Sequence, residues 1–368
     1  MFCKYFLKFV AFLNLRRFSD ASFYIIHIDM KKIRILSFQK NGVNMGFLQQ
    51  FLAYDSICIQ CHNNPDSDTL ASAYGLHCYF KTQGVASEII YSGTERIKKY
   101  NMRLMIDKCQ IPIRYVTELP QTQLLFIADG QYGAGNVAKF EAPAVAVIDH
   151  HIRSMQEHPY VLIKSNYQSC STVVWELLES EGYPVKDNEA LRIALLYGLF
   201  TDTSSFYDLY QEKDMEMRTA LSGDFPLFEK LIKSNMTVAE LMIASDAMQD
   251  HYFDPQRRFA IVSAMRCDQA VLGIIGDFMI QVDVISVNFC YTAVADGYQI
   301  SIRSCDDRIP ANLLAAFVCK EIGAGGGHAK KAGGRISAER VAEKYGSIDL
   351  LEFVNQKLCE FIDRGGNA

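Results

Sequence analysis

A seven-residue loop, His62-Asn-Asn-Pro-Asp-Ser-Asp68, brings together one imidazole and two carboxylates. Hard oxygen and borderline nitrogen donors of this kind suit manganese, magnesium or iron better than a thiolate zinc site would. Asp66 and Asp68 are two residues apart, so in a loop that turns they can bind two different ions. The alternative is that Asp68 only caps the helix that follows, because Asp is a favoured N-cap residue.

Three further segments place an acid where an apolar element ends. The apolar runs over 124–128 and 144–148 predict short buried strands. Asp129 directly follows the first strand, and the triplet Asp149-His150-His151 follows the second. Asp202 comes just after a predicted apolar helix. Acids scattered over a surface have no reason to share this position. We therefore predict six metal ligands, which are His62, Asp66, Asp68, Asp129, His150 and Asp202.

This ligand count matches the needs of a centre with two ions. Two divalent ions about 3.5–4 Å apart require one shared carboxylate and a separate set of ligands on either side. Such a pair activates a water molecule and holds a phosphoryl group for in-line displacement. The ligand set therefore favours hydrolysis at phosphorus.

The first half of the chain alternates strands with helices from about residue 46 onward. This spacing is typical of βαβ units and a mostly parallel sheet. The predicted strands cover 56–61, 85–91, 124–128 and 144–148. The predicted helices cover 47–54, 69–81, 94–109, 171–181 and 188–200.

The second half has a different pattern. A charged helical stretch precedes strands over 258–264, 284–294 and 298–303, a helix over 310–321 and a glycine-rich run over 323–334. We predict an α/β protein of two domains, the first with a mostly parallel sheet flanked by helices and the second smaller, with a mixed sheet. The predicted boundaries are 46–206 for the catalytic domain, 207–255 for a helical linker and 256–368 for the C-terminal domain.

Composition limits the classes of function. The 368-residue chain has a formal net charge of −5, which argues against binding long nucleic acid through a basic surface. A small anionic substrate remains compatible with this charge. The cysteine count is odd, at 11, and the cysteines are scattered through apolar runs. This usage favours a reduced, cytoplasmic protein over a disulfide framework.

Residues 1–45 differ from the rest of the chain. The uninterrupted apolar run in this aromatic-rich segment, Phe9–Leu13, is well short of the ~20 residues that a membrane span needs. A signal peptide and an interfacial helix are two interpretations of it. We favour a third, in which Met30 and Met45 are alternative starts and 1–45 is an extension outside the mature fold. We expect no stable membrane span.

The order and separation of the acidic motifs resemble those of a known family. His62-x-x-Pro-Asp-x-Asp, Asp129, Asp149-His-His and Asp202-Thr are similar to the four motifs of the DHH phosphoesterase family. Gly325-Gly-Gly-His, followed by Ala-Gly-Gly, is similar to the glycine-rich motif of the C-terminal domain associated with that family. The similarity covers about residues 50–340.

The resemblance implies two ion sites that share Asp129. One site would use His62, Asp66 and Asp129, and the other would use Asp68, Asp129, His150 and Asp202. Mn²⁺ is the expected ion, with Mg²⁺ as the alternative. Asp149 would orient a histidine, as carboxylates commonly do for imidazoles at metal sites. His151 would face the substrate, where it binds phosphate or transfers the proton of the leaving group.

The resemblance also implies that the C-terminal domain binds the substrate. The glycines would let a ligand approach the backbone and would offer N–H donors to an anion. Lys330 and Lys331 depart from the more apolar stretch common after this motif, so either phosphate binding or a solvent-exposed position is open for them. The expected substrate contacts are Arg303, Ser304, Gly325, Gly326, Gly327 and His328.

The implied activity is that of a phosphodiesterase or phosphatase acting on short oligonucleotides or on 3′-phosphoadenosine 5′-phosphate, with no role for long duplexes. A cyclic or linear dinucleotide is the alternative substrate. Family II inorganic pyrophosphatases share the first-domain motifs, but the glycine-rich motif resembles the other kind of C-terminal domain. A non-catalytic nucleotide-binding regulatory module is the alternative of another class. The sequence does not fix the oligomeric state, and a homodimer is compatible with it.

Overall fold

The computed structural model describes residues 46–93 and 96–366, together with the backbone of 23–29 and 32–38. That backbone forms an antiparallel hairpin of β1 (Phe23–Asp29) and β2 (Lys32–Phe38). The rest of the predicted N-terminal extension, including Met30 and Met45, lies outside the described residues. Its exclusion from the mature fold therefore stays a prediction.

The first half of the described chain is built on a wholly parallel six-stranded sheet with the order β5-β4-β3-β6-β7-β8. The order reverses between β3 and β6, which makes that point the topological switch, where ligands bind in open α/β sheets. The strands are β3 (Ser56–Gln60), β4 (Ala86–Tyr91), β5 (Ile113–Tyr115), β6 (Leu124–Ala128), β7 (Val145–Asp149) and β8 (Val161–Ile163).

Apolar side chains cover both faces of this sheet, as expected for parallel strands. The helices pack on one face. They are α1 (Ser67–Thr82), α2 (Tyr100–Cys109), α3 (Cys170–Ser180) and α4 (Glu189–Asp202). Residues 47–54 were expected to form an α-helix, and the structure has a short 3₁₀ turn there, Gln49–Phe51. A turn is enough to bury Phe51 completely beneath the sheet.

Three helices lie between the two sheets, and the boundaries predicted for a linker in this region stay predictions. They are α5 (Glu212–Leu221), α6 (Pro226–Ile232) and α7 (Val238–Gln249). None of the helices within the described ranges has the length and hydropathy that crossing a membrane would require.

The C-terminal part contains a second six-stranded sheet with the order β13-β14-β12-β11-β10-β9. Only β10 and β11 pair in parallel, so the sheet is mixed, and the predicted α/β fold class is confirmed. The strands are β9 (His251–Asp254), β10 (Phe259–Ala264), β11 (Val287–Val294), β12 (Gly297–Ser304), β13 (Gly323–Gly327) and β14 (Lys331–Ser337). The helices are α8 (Gln269–Met279), α9 (Ala311–Cys319), α10 (Ala338–Tyr345) and α11 (Leu350–Asp363).

Candidate metal centre

Asp129 lies between two groups of acidic and imidazole side chains at the carboxyl edge of the parallel sheet. Its Oδ2 is 3.7 Å from Nε2 of His62, and its Oδ1 is 3.3 Å from Nε2 of His150. Each carboxylate oxygen therefore faces a different imidazole. A carboxylate shared between two cations needs this arrangement.

The first group contains His62, Asp66 and Asp129. His62 lies just beyond the end of β3, and Asp66 is the N-cap of α1. Oδ1 of Asp66 accepts hydrogen bonds from the backbone N–H groups of Asp68 and Thr69, each at 3.0 Å. Its Oδ2 is 3.5 Å from Nε2 of His62. One oxygen caps the helix, and the other stays available to the group.

The second group contains Asp68, His150 and Asp202. Nε2 of His150 is 3.8 Å from Oδ2 of Asp68 and 3.5 Å from Oδ2 of Asp202. The Asp68 carboxylate also accepts hydrogen bonds from the backbone N–H groups of Cys170 and Ser171, at 2.6 and 2.8 Å. These amides form the N-terminus of α3, whose dipole favours a negative charge. Asp68 therefore does not cap its own helix; Asp66 does.

Two buried polar atoms lie where a cation would bind. Oδ1 of Asp129 and Nε2 of His150 are buried and have no hydrogen-bond partner. Buried polar groups without a partner are rare and call for an ion, a water molecule or a functional reason. Together with an oxygen and imidazole donor set, they fit a hard divalent cation bound by each group. All six side chains that the sequence suggested as ligands are brought together here, and their roles as ligands stay predictions.

Crowding of like charges shifts the protonation of this centre. Burial raises the pKa of Asp68 to about 7, with a further contribution from the charge of Asp129. Burial and the neighbouring carboxylates of Asp68 and Asp66 hold the pKa of Asp202 well above its ordinary value. Burial lowers the pKa of His62, but the charge and hydrogen bond of Asp66, together with the charges of Asp129 and Asp68, outweigh burial and bring that pKa to about 9. Without a cation, the centre therefore holds protons that a cation would displace.

Asp149 supports His151 rather than His150. Its Oδ1 lies 2.8 Å from Nδ1 of His151, and its Oδ2 accepts a 2.7 Å hydrogen bond from the Gln131 amide. Burial raises the pKa of Asp149, but the hydrogen bond and charge of His151, the charge of His150 and the hydrogen bond from Gln131 together outweigh burial and bring the pKa down to about 2. Nδ1 of His150 instead lies 3.3 Å from the carbonyl oxygen of Tyr167.

Gln131 is a residue that the sequence did not single out. It is buried, and its Oε1 accepts hydrogen bonds from the backbone N–H and the hydroxyl of Ser154, at 2.7 and 2.9 Å. Its amide also donates to the carbonyl oxygen of Ile152 at 3.0 Å. Gln131 thus ties the carboxylate of Asp149 to the chain segment that follows His151. No motif spacing marks this residue, because its partners come from a different strand end.

Residues 56–199 match the family model described as the DHH family, N-terminal domain. This segment is a DHH domain. It runs from β3 to α4, and it includes all the residues of the centre except Asp202, which lies three positions beyond the matched segment. The predicted family is confirmed for this segment, in agreement with the predicted class of enzyme, a phosphoesterase.

Two curated relatives resemble the chain beyond the DHH domain. An uncharacterized protein of Methanocaldococcus jannaschii is 25% identical over 315 residues, which cover 83% of this chain and 64% of that protein. The cyclic-di-AMP phosphodiesterase GdpP of Geobacillus thermodenitrificans is 24% identical over 314 residues, covering 78% of this chain and 46% of that protein. The chain thus spans less than two thirds of the length of either relative.

The crystal structure of an exopolyphosphatase-related protein from Bacteroides fragilis has the same fold. The two structures superpose with a TM-score of 0.69 at 17% identity, covering 87% of this chain and 98% of the other. The match extends over both sheets. The two proteins therefore share the fold of the DHH domain and of the C-terminal part.

The C-terminal part contributes His328 to the centre of the DHH domain. The His328 ring stacks on His151 with centroids 4.8 Å apart, and it lies 5.1 Å from the ring of His150. Burial, together with the neighbouring His150 and His151, lowers the pKa of His328 to about 3. Uncharged His328 can therefore sit beside the other two imidazoles.

The remaining predicted substrate contacts have structural partners of their own. Nε of Arg303 lies 2.5 Å from Oδ1 of Asp277. Ser304 is buried, and its hydroxyl lies 3.2 Å from both the backbone oxygen and the backbone nitrogen of Asp306. A Cβ at Gly325 would lie 2.6 Å from the carbonyl oxygen of Ala315, whereas one at Gly326 would meet only open space. The contacts of these residues with a substrate stay predictions.

Proposed function

We propose that this chain is a metal-dependent phosphoesterase that hydrolyses short oligonucleotides, 3′-phosphoadenosine 5′-phosphate or both. The observation behind the proposal is the position of Asp129, whose two oxygens face His62 and His150 separately. Oxygen and imidazole donors in two groups that share one carboxylate suit a pair of Mn²⁺ or Mg²⁺ ions. The DHH domain supports the reaction class.

The side chains around the ions have distinct tasks in this proposal. Bound divalent cations would activate a water molecule and neutralise charge at the phosphoryl group. Asp149 accepts a hydrogen bond from Nδ1–H of His151, which would orient the ring with Nε2 toward the substrate. When Nε2 also carries a proton, it can donate a hydrogen bond to phosphate or hand that proton to the leaving oxygen. His328 would close the site from the C-terminal part and help exclude water.

A dinucleotide phosphodiesterase is the second candidate function. It is favoured by the similarity to the cyclic-di-AMP phosphodiesterase of Geobacillus thermodenitrificans. Both candidates use the same centre, so only the substrate distinguishes them. A cytoplasmic location and a homodimer stay predictions.

A hydrolysis panel in the presence of Mn²⁺ tests both candidates. It contains dinucleotides to pentanucleotides, 3′-phosphoadenosine 5′-phosphate, cyclic dinucleotides and pyrophosphate. We expect release of mononucleotide or phosphate from the first two classes by the wild type and none by Asp129→Ala. Asp107→Ala removes an exposed acid of α2 and is the matched control, which should retain wild-type rates.

Two results would contradict the proposal. Wild-type rates in Asp129→Ala would refute the two-ion assignment. Tight nucleotide binding with no hydrolysis of any substrate by the wild type would instead favour the non-catalytic regulatory module.

A further inference from the structure

The chain segment that leads into α3 contacts two members of the second ligand group. The carbonyl oxygen of Tyr167 lies 3.3 Å from Nδ1 of His150. The backbone N–H groups of Cys170 and Ser171 donate to the carboxylate of Asp68, at 2.6 and 2.8 Å. Two of the three side chains in this group are therefore held by one short stretch of backbone.

The side chain of Gln168 links the same segment to the turn that follows Asp202, the third member of the group. Its Nε2 donates to the carbonyl oxygen of Asp208 at 2.7 Å. Its Oε1 accepts hydrogen bonds from the backbone N–H groups of Tyr210 and Gln211, at 2.8 and 2.9 Å. Asp202 is the last residue of α4, so these three bonds fix the far end of the turn by which the chain leaves that helix.

The turn that follows Asp202 has a strained backbone. Ser204, Ser205 and Phe206 adopt the left-handed conformation in succession, with φ of 49°, 62° and 66°. This conformation is unfavourable for residues other than glycine, and it persists only where the surrounding structure determines it. The three hydrogen bonds of Gln168 are among the contacts that hold the turn in this form.

A buried carboxylate outside the metal centre holds Gln168 in its place. Asp214 of α5 is completely buried, and its Oδ2 accepts a hydrogen bond from the backbone N–H of Gln168 at 3.0 Å. Its Oδ1 accepts a hydrogen bond from the hydroxyl of Thr172 on α3. A buried acid is costly unless it is hydrogen-bonded. Both of these bonds go to the segment and the helix that support the second group.

We propose that Gln168 is a positioning residue that sets the affinity of the second ligand group for its ion. It joins the turn after Asp202 to the segment that supports His150 and Asp68, so that the three side chains face one point. This inference rests on the proposed function, because it assumes an ion at each group. The hydrogen bonds of the Gln168 side chain go to segments outside the first group, so the ion affinity of that group should not depend on them.

The test titrates metal-free wild type and Gln168→Met with Mn²⁺. Methionine has a similar length but cannot make the three hydrogen bonds. Outer partners of a metal site typically account for 10–100-fold in affinity, so we expect calorimetry to show the second ion bound about 10–100-fold more weakly in the variant and the first ion unchanged. At intermediate Mn²⁺ concentrations, electron paramagnetic resonance should show single Mn²⁺ ions in the variant where the wild type shows a coupled pair.

The dependence of activity on Mn²⁺ separates positioning from catalysis. Excess Mn²⁺ should restore the kcat of Gln168→Met, because the variant keeps every predicted ligand. Gln356→Met, at an exposed position of α11, should bind both ions like the wild type. Thr237→Ala removes the capping box of α7 and should lower the melting temperature while leaving both ion affinities unchanged. This second variant controls for a general loss of stability.

The outcomes distinguish this inference from the proposed function. If the wild type binds two ions but hydrolyses no substrate of the panel, the proposed activity fails, and the titration still decides the role of Gln168. If the wild type binds fewer than two ions, the two-ion assignment and this inference both fail. If Gln168→Met keeps both affinities or loses both together, Gln168 does not position the second group. A kcat that stays low at saturating Mn²⁺, or the same weakening of the second ion in Thr237→Ala, also overturns the inference.

Discussion

Asp129 adopts a left-handed backbone conformation, with φ of 58°, at the point where β6 ends. A residue other than glycine pays an energetic cost for this conformation, and such strain collects at functional sites. Here it falls on the carboxylate whose two oxygens face one imidazole of each group. The strained backbone and the buried Oδ1 atom without a hydrogen-bond partner therefore belong to the same residue.

Gln131 is expected to affect turnover through Asp149 and His151. Gln131→Leu keeps a similar volume but leaves Oδ2 of Asp149 and the Ser154 N–H without their partner. Outer partners of a metal site typically account for 10–100-fold in activity or affinity, so we expect kcat to fall about 10–100-fold. Steady-state kinetics with Mn²⁺ measures this. Gln123→Leu, at the opposite end of the sheet, is the control.

A kcat within twofold of the wild type would show that Asp149 holds His151 without help. A parallel loss of thermal stability and activity would assign Gln131 a purely structural role instead.

The residues of the centre could be predicted from the sequence for two reasons. Their residue types suit metal binding, and most of them directly follow apolar segments. His62 and Asp129 each follow an apolar strand that periodicity identifies. The partners of each carboxylate could not be predicted. Asp149 pairs with Gln131 because the ends of β6 and β7 meet in space, and no local pattern encodes that meeting.

At the scale of elements, the close packing of α4 on α1 holds Asp68 in place. A Cβ at Gly198 would collide with the Ser171 hydroxyl and lie 3.0 Å from Oδ1 and 3.1 Å from Cα of Asp68. The packing around Gly75 on α1 is also tight, but a Cβ there would lie 2.7 Å from the Val174 side chain, away from the predicted ligands. The two glycines form a matched pair.

We expect Gly198→Ala to weaken Mn²⁺ binding and Gly75→Ala to spare it. Overpacking costs about 1–3 kcal/mol at either site, so both variants should melt at a lower temperature. Only Gly198→Ala displaces a predicted ligand. Calorimetric titration with Mn²⁺ measures the difference. Equal affinities in the two variants would exclude Asp68 from the ligand set.

Several elements that the sequence did not predict are short or rich in glycine. β5 and β8 have three residues each, which is too few to show the alternating hydrophobic pattern of a strand. The run Gly323–Gly327 is typical of a loop, yet it forms β13 against α9. Glycine is unfavourable in a strand, but Ala315 of α9 approaches Gly325 so closely that a side chain would not fit. Gly273 and Gly276 weaken the helix signal of α8 and make room for Arg303.

At the scale of the whole molecule, the metal centre concentrates like charges between the parallel sheet and the C-terminal hairpin. Four carboxylates and two imidazoles meet there, and Lys330 and Lys331 of the hairpin reach across to Asp208 and Asp202. Cations bound at the centre would relieve this repulsion. Metal binding should therefore stabilise the entire fold.

We expect saturating Mn²⁺ to raise the melting temperature at pH 8 and to do so less at pH 6. At a free Mn²⁺ concentration of about 100 times Kd, binding adds about 2.7 kcal/mol to the free energy of unfolding. This corresponds to a rise of about 5–10 °C in the melting temperature of a domain of roughly 150–250 residues. Below their folded-state pKa values, about 9 for His62 and about 7 for Asp68, both groups hold protons that the ion must displace. Affinity therefore falls about tenfold per pH unit for each displaced proton.

Differential scanning calorimetry at both pH values measures the shift, with chelator-treated protein as the reference. Asp129→Asn should show almost no shift at either pH, because it removes the shared carboxylate while keeping the size of the side chain. A shift that is equal at pH 8 and pH 6 would mean that the ion binds groups other than these acids and imidazoles. A shift that persists in Asp129→Asn would place the stabilising ion elsewhere in the molecule.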